Sequence, residues 1–206
     1  MIWDDLQKEA KAKGTLVFAM SQAQTPVMTQ PGPWGTSFDG FCIGLAAQWI
    51  LYCYQKKTFP VDGAQVCDNP PWQSTLSQTL SDKTAATNWV DFWKSAIEPF
   101  QMTLSDGLRA TRSTNPTASF LHSIVTKAYG CYAVSLIRAG GAHAIALRHG
   151  TDNRMHLFDA NEGHFSVRDH TQLKPFLAWY LKKSGYDTRY DKGTHIVGVR
   201  PPIVAK

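Results

Sequence analysis

Three residues have the types and settings that do chemistry together. Cys42 stands two residues after Gly40, at the mouth of the near-continuous apolar run from Phe41 to Tyr54. His143 opens the run HAIALRH, and Asp159 lies near the end of RMHLFDA. A thiol beside an imidazole that is held by a carboxylate is a nucleophile, base and orienter set, suited to acyl transfer.

A cysteine in an apolar helix is often only a small hydrophobe. Cys42 differs by its place: at a helix N-terminus the unpaired N–H groups and the macrodipole favour a thiolate, and a nearby imidazolium lowers the thiol pKa further. The same N–H groups offer one arm of an oxyanion hole, with Gln30, Thr36 and Ser37 as upstream candidates for a second donor. Cys53 is 11 residues on, roughly 16 Å along the helix axis, and reads as core.

The partners must be brought together by strands. A hairpin folded about Thr151 sets Leu147 opposite Met155, Ile145 opposite Leu157 and His143 opposite Asp159, all six on one face. A slip of one residue separates the last two onto opposite faces. Asn161 and Glu162 are rivals for the orienter role, though neither faces His143 in this register.

The elements follow from patterning. WDDLQKEAKAKG reads as a helix stopped by Gly14, TLVFAMS as a strand or buried extended segment, and residues 22–40 as a long irregular loop. The apolar run after Asp39, a candidate N-cap, is long enough for a buried helix. TNWVDFWKSAIEPF and TNPTASFLHSIVTKAYG read as helices, the second capped by Asn115 and stopped by Gly130. CYAVSLIR, HAIALRH and RMHLFDA read as an antiparallel meander, followed by a helix, TQLKPFLAWYLKKSG, and a last strand, THIVGVR.

The expectation is one α+β domain over residues 1–206: a mainly helical part, 1–130, carrying the nucleophile, and a sheet part, 131–206, carrying His143 and Asp159.

Composition narrows the classes. The chain has 206 residues, 43% of them hydrophobic, enough for a good core. Four cysteines at irregular spacing form neither a CxxC pair nor a dense disulfide framework, so the thiols read as mostly free. The N-terminus lacks a signal-peptide stretch, and no run of 18 apolar residues encodes a membrane span.

The net charge of +5 comes from residues 131–206, with 11 Lys/Arg against 6 Asp/Glu, while residues 1–130 balance at 10 and 10. A solvated basic face accounts for this, since no nucleic-acid module signature is present. The other six histidines show no zinc-ligand spacing, and no glycine-rich phosphate loop appears, so neither metal nor cofactor is expected.

Three blocks in order, GFCIGLAAQW (40–49), GGAHAIAL (140–147) and HLFDANEGHF (156–165), resemble the YopT and AvrPphB type of papain-like cysteine proteases, bacterial effectors delivered into other cells. The resemblance implies a papain-like α+β fold with a nucleophile helix packed on an antiparallel sheet. It implies Cys42 as nucleophile, His143 as general base and acid, and Asp159 as orienter. It further implies a protein substrate in a target cell, injection or secretion without a cleaved signal peptide, and a cognate immunity protein or secretion chaperone as possible partners. The same constellation suits a glutamine deamidase or transglutaminase, and a catalytically silent protein-binding module is the non-enzymatic alternative.

Overall fold

The structure, a computed structural model, describes residues 2–22, 42–59 and 88–202. Its elements are α1 (Ile2–Ala12), β1 (Leu16–Ala19), α2 (Cys42–Gln55), α3 (Trp89–Ile97), β2 (Thr103–Arg112), α4 (Ala118–Val125), β3 (Gly130–Arg138), β4 (Gly141–His149), β5 (Met155–Asp159), β6 (Gly163–Val167), α5 (His170–Ser184), α6 (Tyr186–Arg189) and β7 (Gly193–Arg200). A single 3₁₀ turn, Glu98–Phe100, follows α3.

The strands form one seven-stranded antiparallel sheet in the order β1-β6-β5-β4-β3-β7-β2. Helices cover both faces. Along β3 and β4 alternate residues serve different layers, as the two-residue period of a strand requires. Ala133, Ala144 and Ala146 face α2 and α3, whereas Val134, Ile145 and Leu147 face α1, α4 and α5.

The small side chains on the first face let α2 lie close. Its residues Ile43 to Leu51 are all buried, and Trp49 stacks on Phe158 of β5 with centroids 5.6 Å apart. Truncating such a ring leaves a cavity and typically costs about 3–5 kcal/mol.

The sheet draws on both halves of the chain, because β1 and β2 join strands that follow residue 130. The helix expected after Asn115 starts later: Thr117 is the N-cap, its hydroxyl accepting from the Phe120 N–H at 3.3 Å. Thr126 ends that helix, and Gly130 opens β3 rather than stopping the helix.

The hairpin register also differs from the expected one. Ile145, not His143, lies opposite Asp159, and Leu147 pairs with Leu157. The cause is the turn, which is closed by Gly150 N–H to Arg154 O and Asn153 N–H to Gly150 O, so it centres one residue beyond Thr151. That moves the pairing by two residues and keeps every side chain on its expected face.

Candidate active site

Because β5 ends at Asp159 opposite Ile145, β4 runs past it by the residues that include His143 and Ala144. The site forms at this overhang. Cys42, the first residue of α2, is half-buried and comes from the α2 layer. Its Sγ accepts the Ala144 N–H at 3.4 Å. His143 points to the other face of the sheet, 4% exposed, and pairs across the ladder with Leu136 of β3.

With Asp159 in a diagonal position, such neighbours stand roughly 7–8 Å apart and somewhat less between Cβ atoms, a span that favours the far ring nitrogen over the near one. The far one bridges the gap: His143 Nε2 lies 2.9 Å from Asp159 Oδ1. Nδ1 is left for Cys42, whose thiol is near enough to the imidazole for each to shift the other's pKa. The structure thus brings Cys42, His143 and Asp159 together, with one ring nitrogen for each partner.

Asp159 is fully buried and fully engaged. Oδ1 also accepts the Asn161 N–H at 2.8 Å, and Oδ2 accepts the Tyr180 hydroxyl at 2.6 Å. Tyr180 is set by α5, which Asp169 caps by accepting from the Thr171 and Gln172 N–H groups. Gly185, at φ +70°, then turns the chain in the left-handed conformation that glycine adopts without steric cost. The turn sends Tyr186 edge-on to the imidazole at 5.3 Å and brings Tyr190 over it at 6.1 Å.

The β5–β6 turn is clamped from outside. A Cβ at Gly163 (φ +120°) would stand 2.1 Å from the Phe18 carbonyl oxygen of β1, so only glycine lets these chains approach. Asn161, rival for the orienter role, instead donates to the Tyr186 hydroxyl and accepts from Gln22 Nε2 at 2.6 Å. Glu162, the other rival, is fully buried with neither carboxyl oxygen hydrogen-bonded, and burial together with the Asp159 charge pushes its carboxyl up to about 9. It is a neutral acid at pH 7 and so a poor partner for an imidazolium.

Charge flows the other way in the three-residue set. Burial opposes the Cys42 thiolate, but His143 and the Ala144 N–H outweigh it and hold the thiol below its ordinary value. Burial likewise opposes the His143 cation, yet Asp159 and Cys42 raise its pKa well above the usual range. For Asp159, burial is overcome by His143, Tyr180 and the Asn161 N–H, and the carboxyl titrates low. Each shift runs toward the charged form, thiolate at Cys42, imidazolium at His143 and carboxylate at Asp159, the polarity that suits a thiol nucleophile.

Gln30, Thr36, Ser37, Asp39 and Cys67 lie outside the described residues. Tyr180 and Tyr186 escaped the sequence reading because they lie in apolar surroundings that spell ordinary core. The available signal was a phenol within that stripe, since a buried Tyr hydroxyl needs a partner. Among the described residues no three His, Cys, Asp or Glu side chains cluster as a metal site.

An antiparallel sheet with a cysteine-headed helix on one face, and a His-Asp pair at the strand ends, defines the papain-like α+β class. The comparisons agree. The family model Peptidase_C58, described as Yersinia/Haemophilus virulence surface antigen, matches residues 73–199, more than half of the sequence. The chain belongs to this family, the YopT/AvrPphB family of cysteine peptidases. The matched stretch contains His143 and Asp159 and begins after Cys42.

The fold is similar to the crystal structure of the Pseudomonas avirulence protein AvrPphB. The TM-score is 0.65 at 13% sequence identity, covering 91% of this chain and 98% of that one. A search of curated protein sequences finds no match.

Proposed function

We propose that the chain is a thiol protease in which Cys42 is the nucleophile, His143 the general base and acid, and Asp159 the orienter, acting as a secreted effector or toxin on a protein of a target cell. The observation that carries this reading is the convergence of the three side chains at the β4 overhang, with the Cys42 thiol held low and the His143 imidazole held high.

The Cys42 thiolate adds to the carbonyl carbon of the scissile peptide, and the N–H groups at the start of α2 face the developing oxyanion. His143 gives its proton to the departing amine, and the C–N bond breaks to leave a thioester on Cys42. Water then attacks this acyl-enzyme while the neutral imidazole takes its proton, and the thioester opens to a carboxylic acid and the thiolate. Throughout, Asp159 holds Nε2–H and so keeps Nδ1 turned to the reaction.

In this reading residues 1–206 act as one catalytic domain, the nucleophile supplied by 1–130 and the His-Asp pair by 131–206. Delivery by a bacterial secretion system is part of the same proposal, supported by the family's description as a virulence antigen.

The test compares lysates treated with wild type and with Cys42→Ala, by mass spectrometry of new N-termini. New N-termini only with wild type are expected. Intact proteins bearing Gln→Glu changes instead would overturn the protease in favour of a deamidase. Neither change, from folded protein on bacterial and eukaryotic lysates, would favour a binding module.

A further inference from the structure

The end of α2 away from Cys42 borders a cavity that catalysis does not use. It has a volume of about 360 Å³, opens between β1, the end of α2 and the end of β4, and falls in the size range of small-molecule sites. Its wall carries three cations, Lys56, Lys57 and Arg148, and no carboxylate side chain among the described residues.

These cations lack the partners that others have. Lys13, Lys94, Arg109, Lys183 and Lys192 each face a carboxylate, whereas among the described residues no ion pair or hydrogen bond engages the side chains of Lys56, Lys57 and Arg148. Arg148 is half-buried, and its charge pushes His156 and His164 further toward their neutral forms. Asp152, whose charge also reaches His156, accepts the Arg154 N–H in the β4–β5 turn and lies outside the lining. A half-buried guanidinium without a counter-ion carries a desolvation cost that a bound anion offsets.

The helix end sets the two lysines. Lys56 follows α2 in the left-handed conformation, φ 54°, with its N–H on the Cys53 carbonyl and the Lys57 N–H on the Tyr52 carbonyl, and both residues line the cavity. The rest of the wall is apolar and flat. Phe18 of β1 and Tyr52 of α2 are half-buried in it, and Val17, 54% exposed, is an apolar side chain left in solvent beside them. His164 lines the same space with its Nε2 engaged by His156 Nδ1 at 3.0 Å, so it adds a neutral ring rather than a fourth cation. A guanidinium fork with two ammonium groups suits a dianionic phosphate, and the rings suit an aromatic body.

We propose that this cavity binds a small phosphate monoester carried on a flat ring, of the nucleoside monophosphate class, with the phosphate held by Arg148, Lys56 and Lys57 and the ring laid against Phe18 and Tyr52. The site is independent of the chemistry at Cys42, which stands at the opposite end of α2.

The experiment titrates the full chain carrying Cys42→Ala with adenosine monophosphate at low ionic strength, by calorimetry. One nucleotide is expected per chain, with adenosine and inorganic phosphate each at least about tenfold weaker, since each lacks one half of the contact. Lys56→Ala/Lys57→Ala, at two exposed positions, should bind the nucleotide severalfold more weakly while the free protein melts at an unchanged temperature. Arg148→Lys should also bind more weakly, because a point charge replaces the fork. Cys53 lines the cavity and reports its occupancy: bound nucleotide should slow alkylation of this thiol by iodoacetamide severalfold, read by peptide mass spectrometry. No binding at millimolar nucleotide would overturn the site, and inorganic phosphate binding as tightly as the nucleotide would overturn the ring as part of the ligand. Nucleotide binding that leaves Cys53 alkylation and the affinity of the lysine variant unchanged would overturn the cavity as its place.

Discussion

Two imidazole sites on the same sheet have opposite fates. His143 meets a carboxylate and a thiol, and they raise its pKa well above the usual range. On the α2 side of β5 and β6, His156 Nδ1 and His164 Nε2 face each other at 3.0 Å, with Trp49 and Phe18 edge-on to His164. Burial lowers both, to about 4 and about 3, with Arg148 and, for His164, its partner ring lowering them further. Burial opposes a cation in each place, so burial alone does not tell a functional histidine from a structural one. The adjacent anion decides it.

Removing the base should have the largest effect. His143→Ala is expected to cut turnover on the order of 10⁴-fold and to abolish rapid alkylation of Cys42 at pH 6, returning thiol reactivity toward the ordinary range near pH 8.5. Iodoacetamide kinetics against pH read this directly; superimposable profiles for the two proteins would remove His143 from its role.

Next comes the anion. Asp159→Asn should reduce turnover about 10³–10⁴-fold with the fold retained, because the amide neither stabilises the imidazolium nor fixes its tautomer. A variant that keeps full activity would move the orienter to Asn161, Glu162 or water.

A smaller loss is expected from Tyr180→Phe, which takes one hydrogen bond from a buried carboxylate and leaves the ring in place. Hydrogen bonds to charged groups contribute about 1.5–3 kcal/mol, so turnover should fall on the order of tenfold, with the acid limb of the rate profile shifted up as Asp159 becomes easier to protonate. An unmoved limb would mean that the hydroxyl serves packing alone.

The neutral pair gives the gentlest test, and it concerns stability. Folded His156 and His164 bind fewer protons than the unfolded chain between pH 6.5 and about 4, so folding free energy falls as pH falls through that window. One such group costs about 2 kcal/mol by pH 4.5, or about 5 °C in Tm for a chain of this size. Thermal melts of His164→Gln at pH 7 and pH 4.5 should therefore differ less than those of wild type.

Much of this was legible in the sequence, and the pattern of what escaped has a physical logic. The β3, β4 and β5 runs are apolar and bounded by turn residues, so their strands could be read directly. β2 could not: LSDGLRATR is polar, mostly exposed and at the sheet edge, where burial imposes no alternation. The hairpin register was misread by two residues because loop length fixes register and the five-residue turn offered no NG or DG marker. His143 and Asp159 still share a face because two is the strand period, and the imidazole reaches across the diagonal that the slip created. Tyr180 was beyond reach for another reason, since its partner is 21 residues away and chosen by helix packing.

The strand order holds one more lesson. β7, the last of the described strands, lies between β3 and β2, so this sheet closes only when residues 193–200 have been made and inserted. The proposed nucleophile, Cys42, leaves the ribosome about a hundred residues before its proposed base, His143, and Tyr180, which donates to the Asp159 carboxylate, follows later still. Domains fold as units, and non-local pairing forms late. The cell that makes this chain therefore carries, for most of each round of synthesis, a cutting edge without a handle.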